Sequence, residues 1–171
     1  VQLVDESPEH EFADKALFNA AIAYEKVKRH DAASKVYQRI SDNYPKSKLA
    51  DQSLFRVGVN YEKGFDFSGA ITAYTTLVER YPNSQHRADS LYNAAVTLEK
   101  MQQYGQAAAA FKRYATSFSS RDDAGKMFFR AALVYEKMEA WPEMVRTLEE
   151  FIKKYKKARK QSEQIVESYQ R

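Results

Sequence analysis

Leu54-Phe55-Arg56-Val57-Gly58-Val59-Asn60-Tyr61-Glu62-Lys63 decides the fold, because the same pattern returns at a fixed distance of 37 residues on either side. Leu17, Leu91 and Phe128 fall in register with Leu54, and Phe18, Tyr92 and Phe129 with Phe55. Small residues Ala21, Ala95 and Ala132 stand with Gly58, and Tyr24, Leu98 and Tyr135 with Tyr61. Each block closes on one pair: Glu25-Lys26, Glu62-Lys63, Glu99-Lys100 and Glu136-Lys137. Self-similarity at a fixed period of this size marks a solenoid, whose units bury their apolar faces only on their neighbours. Such arrays present surface to partners.

Working outward, each unit holds two helical patterns. Ala13, Leu17, Ala20, Ala21 and Tyr24 recur at three- and four-residue spacing, one face of a helix, and Ala33, Val36, Tyr37 and Ile40 mark a second. The later units repeat both, with Ala70, Tyr74 and Leu77, then Ala107, Phe111 and Tyr114, then Met144, Leu148 and Phe151 as second helices. Small residues at Ala21, Gly58 and Ala33 let two helices of a hairpin approach closely. Glycine inside a helix costs about 1 kcal/mol against alanine, so close packing is the expected reason for Gly58. Tyr44-Pro45 and Tyr81-Pro82 recur at the period and stop the second helices, since proline restricts the preceding residue and lacks a donor. Ser47 and Ser84 are expected to cap the next helix. Pro142 sits in a first helical turn, where a missing N–H is harmless.

The order Gly58, Tyr61, Ala70, Tyr74, Pro82, matched by Ala21, Tyr24, Ala33, Tyr37, Pro45, resembles the tetratricopeptide repeat. The resemblance covers essentially the whole chain and implies an all-α, right-handed solenoid of antiparallel helix hairpins: four complete units with a partial unit at each end. The expected boundaries are 1–8 for the end of a preceding second helix, 9–45, 46–82, 83–119 and 120–157 for the four repeats, and 158–171 for a partial fifth first helix. All form one continuous solenoid. The family period is 34 residues, so three extra residues lie between Pro45 and Leu54, lengthening the connection or the next helix. This longer unit is similar to repeats of bacterial cell-envelope proteins of the barrel-assembly lipoprotein, Tol–Pal partner and gliding-motility scaffold types.

Val1, Leu3 and Val4, and Ile165, Val166 and Tyr169, do not read as polar caps, so a longer array with further repeats at both ends is expected. Ordinary capping helices are the alternative.

Composition sets the outer bounds. The 171 residues are 44% hydrophobic and 29% charged, too apolar for a disordered chain. No apolar run approaches the roughly 20 residues that span a bilayer. With no cysteine, disulfides and thiolate chemistry are excluded within this segment. The net charge of +4 is local: six of 27 bases lie in 153–160, which leaves 21 against 23 acids elsewhere. Nucleic acid is therefore not expected as a partner.

In the resembled family, first helices line a concave groove. Carried over, the groove residues form an aromatic line, Phe18, Phe55, Tyr92 and Phe129, and a polar line, Asn19, Arg56, Asn93 and Arg130, joined by Lys126. Aromatic and Arg side chains are frequent interface anchors, and Asn and Arg can hydrogen-bond an extended peptide. Half-buried packing between units is the other reading of the aromatics. Asn93, Lys126 and Arg130 match part of the family's carboxylate clamp, but Phe55 and Val59 stand where its Lys and Asn would be, so no such clamp is expected. The basic run Lys153, Lys154, Lys156, Lys157, Arg159 and Lys160 suits anionic lipid headgroups, nucleic acid or an acidic partner surface, or is a solvated helix face.

Catalysis is not expected. His10, His30 and His86 lie in connecting or boundary segments without a second ligand at metal-binding spacing, and no phosphate loop or nucleophile motif is present. No cofactor, metal or small-molecule substrate is implied. The expected function is a protein-interaction scaffold that binds a protein or peptide along the groove. By resemblance it acts in a bacterial envelope assembly or motility machine, periplasmic or outer-membrane-associated. The alternative is a cytoplasmic regulatory module of a larger enzyme or signalling protein.

Overall fold

The computed structural model describes Val4, Asp5 and residues 7–155. It contains α1 (Ala13–Lys26), α2 (His30–Asn43), α3 (Ala50–Lys63), α4 (Phe67–Arg80), α5 (Arg87–Lys100), α6 (Tyr104–Ser117), α7 (Ala124–Lys137) and α8 (Trp141–Tyr155), and no strand among the described residues. The fold is an all-α repeat solenoid of helix hairpins. Seven of these helices have 14 residues and α8 has 15. The segments expected at 158–171 and at Val1 to Leu3 lie outside the described residues, as does any continuation of α8.

The helices fall into two compact units, Val1–Ser90 and Leu91–Arg171, divided within α5. In the first, α1 packs on α2, α2 on α3 and α3 on α4; in the second, α6 packs on α7 and α7 on α8. The first core gathers Leu17, Ala21, Ala33, Tyr37, Ile40, Leu54, Val57 and Leu77, and the second Phe128, Ala132, Met144, Leu148 and Phe151. These are the positions that the helical periodicity selected.

Gly58 has the steric role expected of it. A Cβ built there would stand 2.4 Å from Cε1 of Tyr74, whose ring is fully buried. Real carbons do not approach so closely. The α3–α4 crossing is set by this contact.

Each first helix ends the same way. Arg29 N donates to Tyr24 O while Lys28 N donates to Glu25 O, and the pairs Asp66–Tyr61 with Phe65–Glu62, Gln103–Leu98 with Gln102–Glu99, and Ala140–Tyr135 with Glu139–Glu136 repeat it. This double bond pattern is the Schellman motif, which puts one residue in the left-handed region. That residue is Lys28, Phe65, Gln102 or Glu139, with φ from 54° to 62°, and never glycine. Lys26, Lys63, Lys100 and Lys137 sit in the last turns, where cations suit the helix dipole.

Between hairpins, Ser47 N donates to Tyr44 O and Ala50 N to Ser47 O, two successive turns that recur at Ser84 and Arg121. The three extra residues therefore lengthen the connection, not the helix. Neither serine directly precedes its helix, but each hydroxyl accepts from the backbone N–H two residues on, Leu49 N to Ser47 Oγ and His86 N to Ser84 Oγ, both at 3.0 Å. The residue before α3 is Leu49, with no side-chain cap bond. Ser47 Oγ also donates to the Asp14 carboxylate in the first turn of α1, and Ser84 Oγ to Asp51 Oδ2 at 2.6 Å. Each loop is thus tied back to the start of the hairpin it leaves. Among the capped helices, α4 uses Asp66, whose carboxylate accepts from Gly69 N at 2.9 Å.

Candidate partner-binding surface

The aromatic residues of the first helices face their own hairpins. Phe18 meets Tyr37 edge-on at 5.3 Å between ring centroids. Phe55 lies against Tyr74 at 5.9 Å and stacks on the His86 ring at 5.0 Å, 14° from parallel. Tyr92 contacts Phe111 and Tyr114, and Phe129 contacts Phe151. Phe18, Phe55 and Tyr92 remain half-buried, so one edge of each is open to a partner. Phe129 is buried outright.

The arginines of the polar line carry internal contacts. Arg56 Nη1 lies 3.3 Å from Glu25 Oε2, one hairpin back. The same Glu25 accepts from Asn60 Nδ2 at 2.6 Å and from the Tyr37 hydroxyl at 3.2 Å. Asn60 is buried, and its Oδ1 meets Nδ1 of His30 at 2.9 Å. In the second unit Arg130 donates to Glu99 Oε2 from Nη2 at 2.9 Å and from Nε at 3.2 Å, and Lys137 donates to Glu99 Oε1. Burial alone would raise the Glu99 carboxyl, but the Lys137 and Arg130 hydrogen bonds outweigh it and hold it below its ordinary range. Burial, then the Glu25 charge, raises the Tyr37 hydroxyl, so it stays a donor.

Two of the four repeated Glu-Lys pairs thus supply internal ties. Glu25 and Glu99 are each only 13% exposed and join successive hairpins. Arg56 and Arg130 have their charge answered within the fold, which leaves Asn19 and Lys126 exposed and Asn93 half-exposed for contacts outward. Sequence reasoning missed His86, Asn60 and the two glutamates. The constant 31-residue spacing of Glu25–Arg56 and Glu99–Arg130 was the available signal.

Lys153 and Lys154 are exposed at the end of α8, while Lys156, Lys157, Arg159 and Lys160 lie outside the described residues. Among the described residues no group of three or more His, Asp or Glu could hold a metal ion, and no helix is long and apolar enough to cross a membrane.

The tetratricopeptide-repeat family model matches residues 15–47, 52–84, 89–120 and 127–158. No curated protein sequence matches the chain. Among solved structures, BtubC from P. vanneervenii is 14% identical over 90% of this chain and 69% of its own, with a TM-score of 0.61. MamA (residue 41 to its end) from Desulfovibrio magneticus RS-1 is 14% identical over 82% and 75%, at 0.58. A putative kinesin light chain repeat protein from Podosopora anserina is 14% identical over 95% and 88%, at 0.56. At these identities the likeness is one of fold. The four family matches, in register with the four hairpins, establish that the chain belongs to the tetratricopeptide-repeat family, whose repeats typically serve as non-catalytic protein-interaction modules.

Proposed function

We propose that this chain is a non-enzymatic scaffold that holds a protein or peptide segment along its first-helix faces, within a bacterial envelope assembly or motility machine. The observation that carries the reading is the set of four matched repeats, since repeat arrays of this kind offer extended binding surfaces. The open edges of Phe18, Phe55 and Tyr92, with Asn19, Asn93 and Lys126 beside them, supply aromatic area and hydrogen-bonding groups for an extended segment. Arg56 and Arg130 act in this reading as ties between successive hairpins through Glu25 and Glu99. The envelope setting is supported by the resemblance of the 37-residue unit, with its Tyr-Pro-x-Ser connection, to envelope-protein repeats, and in this reading the chain works in the periplasm or at the outer membrane.

The test is affinity capture from bacterial envelope and cytosolic fractions side by side, with a Lys15→Glu/Asn19→Arg/Lys126→Glu variant as control. All three side chains are exposed, so the core is untouched. An envelope protein captured by the wild type and lost in the variant supports the reading. Capture confined to the cytosolic fraction would favour a regulatory module of a larger enzyme or signalling protein. Capture unchanged in the variant would remove the first-helix face from recognition.

A further inference from the structure

Phe65 is the most exposed large hydrophobic side chain among the described residues, at 80%, and it sits at φ 62°. The three equivalent positions hold Lys28, Gln102 and Glu139. The turn geometry therefore does not ask for an aromatic, and a bulky residue in the left-handed region is an outlier that invites a functional reason. Exposure of the ring to water is a second cost. A polar residue would avoid it.

The neighbouring turn of the same unit supplies the rest of the surface. Val27 is 65% exposed at the tip of α1–α2. The two tips adjoin: Lys28, Arg29, His30, Asp31 and Ala32 line one cleft with Gly64, and a Cβ at Gly64 would lie 3.5 Å from Asp31 Oδ1. Around the apolar tips stand Lys26, Lys28, Arg29 and Lys63, all exposed. Two carboxylates share the edge. Asp66 is occupied in capping α4, and Asp31 lies against Gly64. Phe67, half-buried, meets Phe65 edge-on at 6.3 Å and supports it from behind.

We propose that the α1–α2 and α3–α4 turns form a docking edge for an anionic lipid surface, with Phe65 entering the headgroup boundary beside Val27 and the four cations meeting the headgroups. Projecting aromatic and aliphatic tips ringed by long basic side chains match that interface, which rewards buried apolar area plus cationic charge and demands no shape. A protein partner would need complementary contour, and this edge is a pair of protruding tips. The edge lies within the first unit and uses none of the residues assigned to partner contact above.

Co-sedimentation of the full chain with phosphatidylcholine vesicles, with and without about one third phosphatidylglycerol, tests the proposal. Binding should require the anionic lipid and fall with salt. Phe65→Ser, and separately Lys28→Glu/Lys63→Glu, should each lower the partition about ten-fold at unchanged helicity by circular dichroism. A Phe65→Trp variant in a Trp141→Phe background should show blue-shifted emission on the same vesicles. No preference for anionic vesicles, or wild-type partition by Phe65→Ser, would overturn the proposal. So would loss of protein capture, without any vesicle binding, on Phe65→Ser; the tip would then belong in a protein pocket.

Discussion

Arg130 on α7 and Glu99 at the end of α5 share two hydrogen bonds to one carboxylate oxygen, with the guanidinium also lying 4.8 Å from the Phe111 ring centroid. Arg56 and Glu25 make the equivalent pair two periods earlier. Each links the first helix of one hairpin to the first helix of the next. A half-buried carboxylate held by two cations is retained only where its bonds outweigh its burial.

Removing that charge should destabilise the second unit in a pH-dependent way. Glu99→Gln should cost about 1 kcal/mol at neutral pH, since a charge-assisted bond is replaced by a weaker neutral one at a partly exposed pair. Glu99 titrates below its ordinary 4.5 in the folded state, so its contribution is complete above 4.5 and disappears as pH falls through the lower folded value. Thermal unfolding of wild type and variant should therefore differ at neutral pH and converge in acid. A gap that widened in acid would contradict this.

Gly58→Ala should destabilise the protein although alanine is the better helix former. The gain of about 1 kcal/mol in propensity is set against a 2.4 Å collision with the buried Tyr74 ring. Overpacking of this kind typically costs about 1–3 kcal/mol. Chemical denaturation should show a net loss for Gly58→Ala and partial recovery when Tyr74→Leu is added.

The four left-handed turn residues predict the opposite effect. Lys28→Gly and Glu139→Gly should each stabilise by about 0.5–1 kcal/mol, because glycine relieves the left-handed penalty of about 1–2 kcal/mol and gives back part of it as unfolded-state entropy. Both side chains are exposed, so little packing is lost. A fall in melting temperature for either would mean that these turns are not strained.

The parts of the fold legible in the sequence were those written in steric periodicity. Gly58, Ala70 and Tyr74 announce a close helix crossing because residue size at fixed spacing is itself the cause, and Tyr-Pro announces a helix end because proline acts locally. The turn at Phe65 was hidden because its left-handed residue is never the glycine that would signal it. Ser47 makes a local bond from Leu49 N, but its hydroxyl also reaches Asp14, 33 residues back, a distance the linear pattern does not display. The internal pairing of Arg56 and Arg130 was hidden for the same reason: their glutamates lie 31 residues upstream and become neighbours only when hairpins stack. Phe18, Phe55 and Tyr92 pack within their hairpins and stay half-buried, whereas the second core absorbs Phe129.

Recognition of a protein segment by the first helices is open to direct measurement. Hydrogen–deuterium exchange of the chain alone and with its captured partner tests it most directly. Added protection is expected in α1, α3, α5 and α7. Protection confined to α2, α4, α6 and α8 would contradict it and move recognition to the opposite helices of each hairpin.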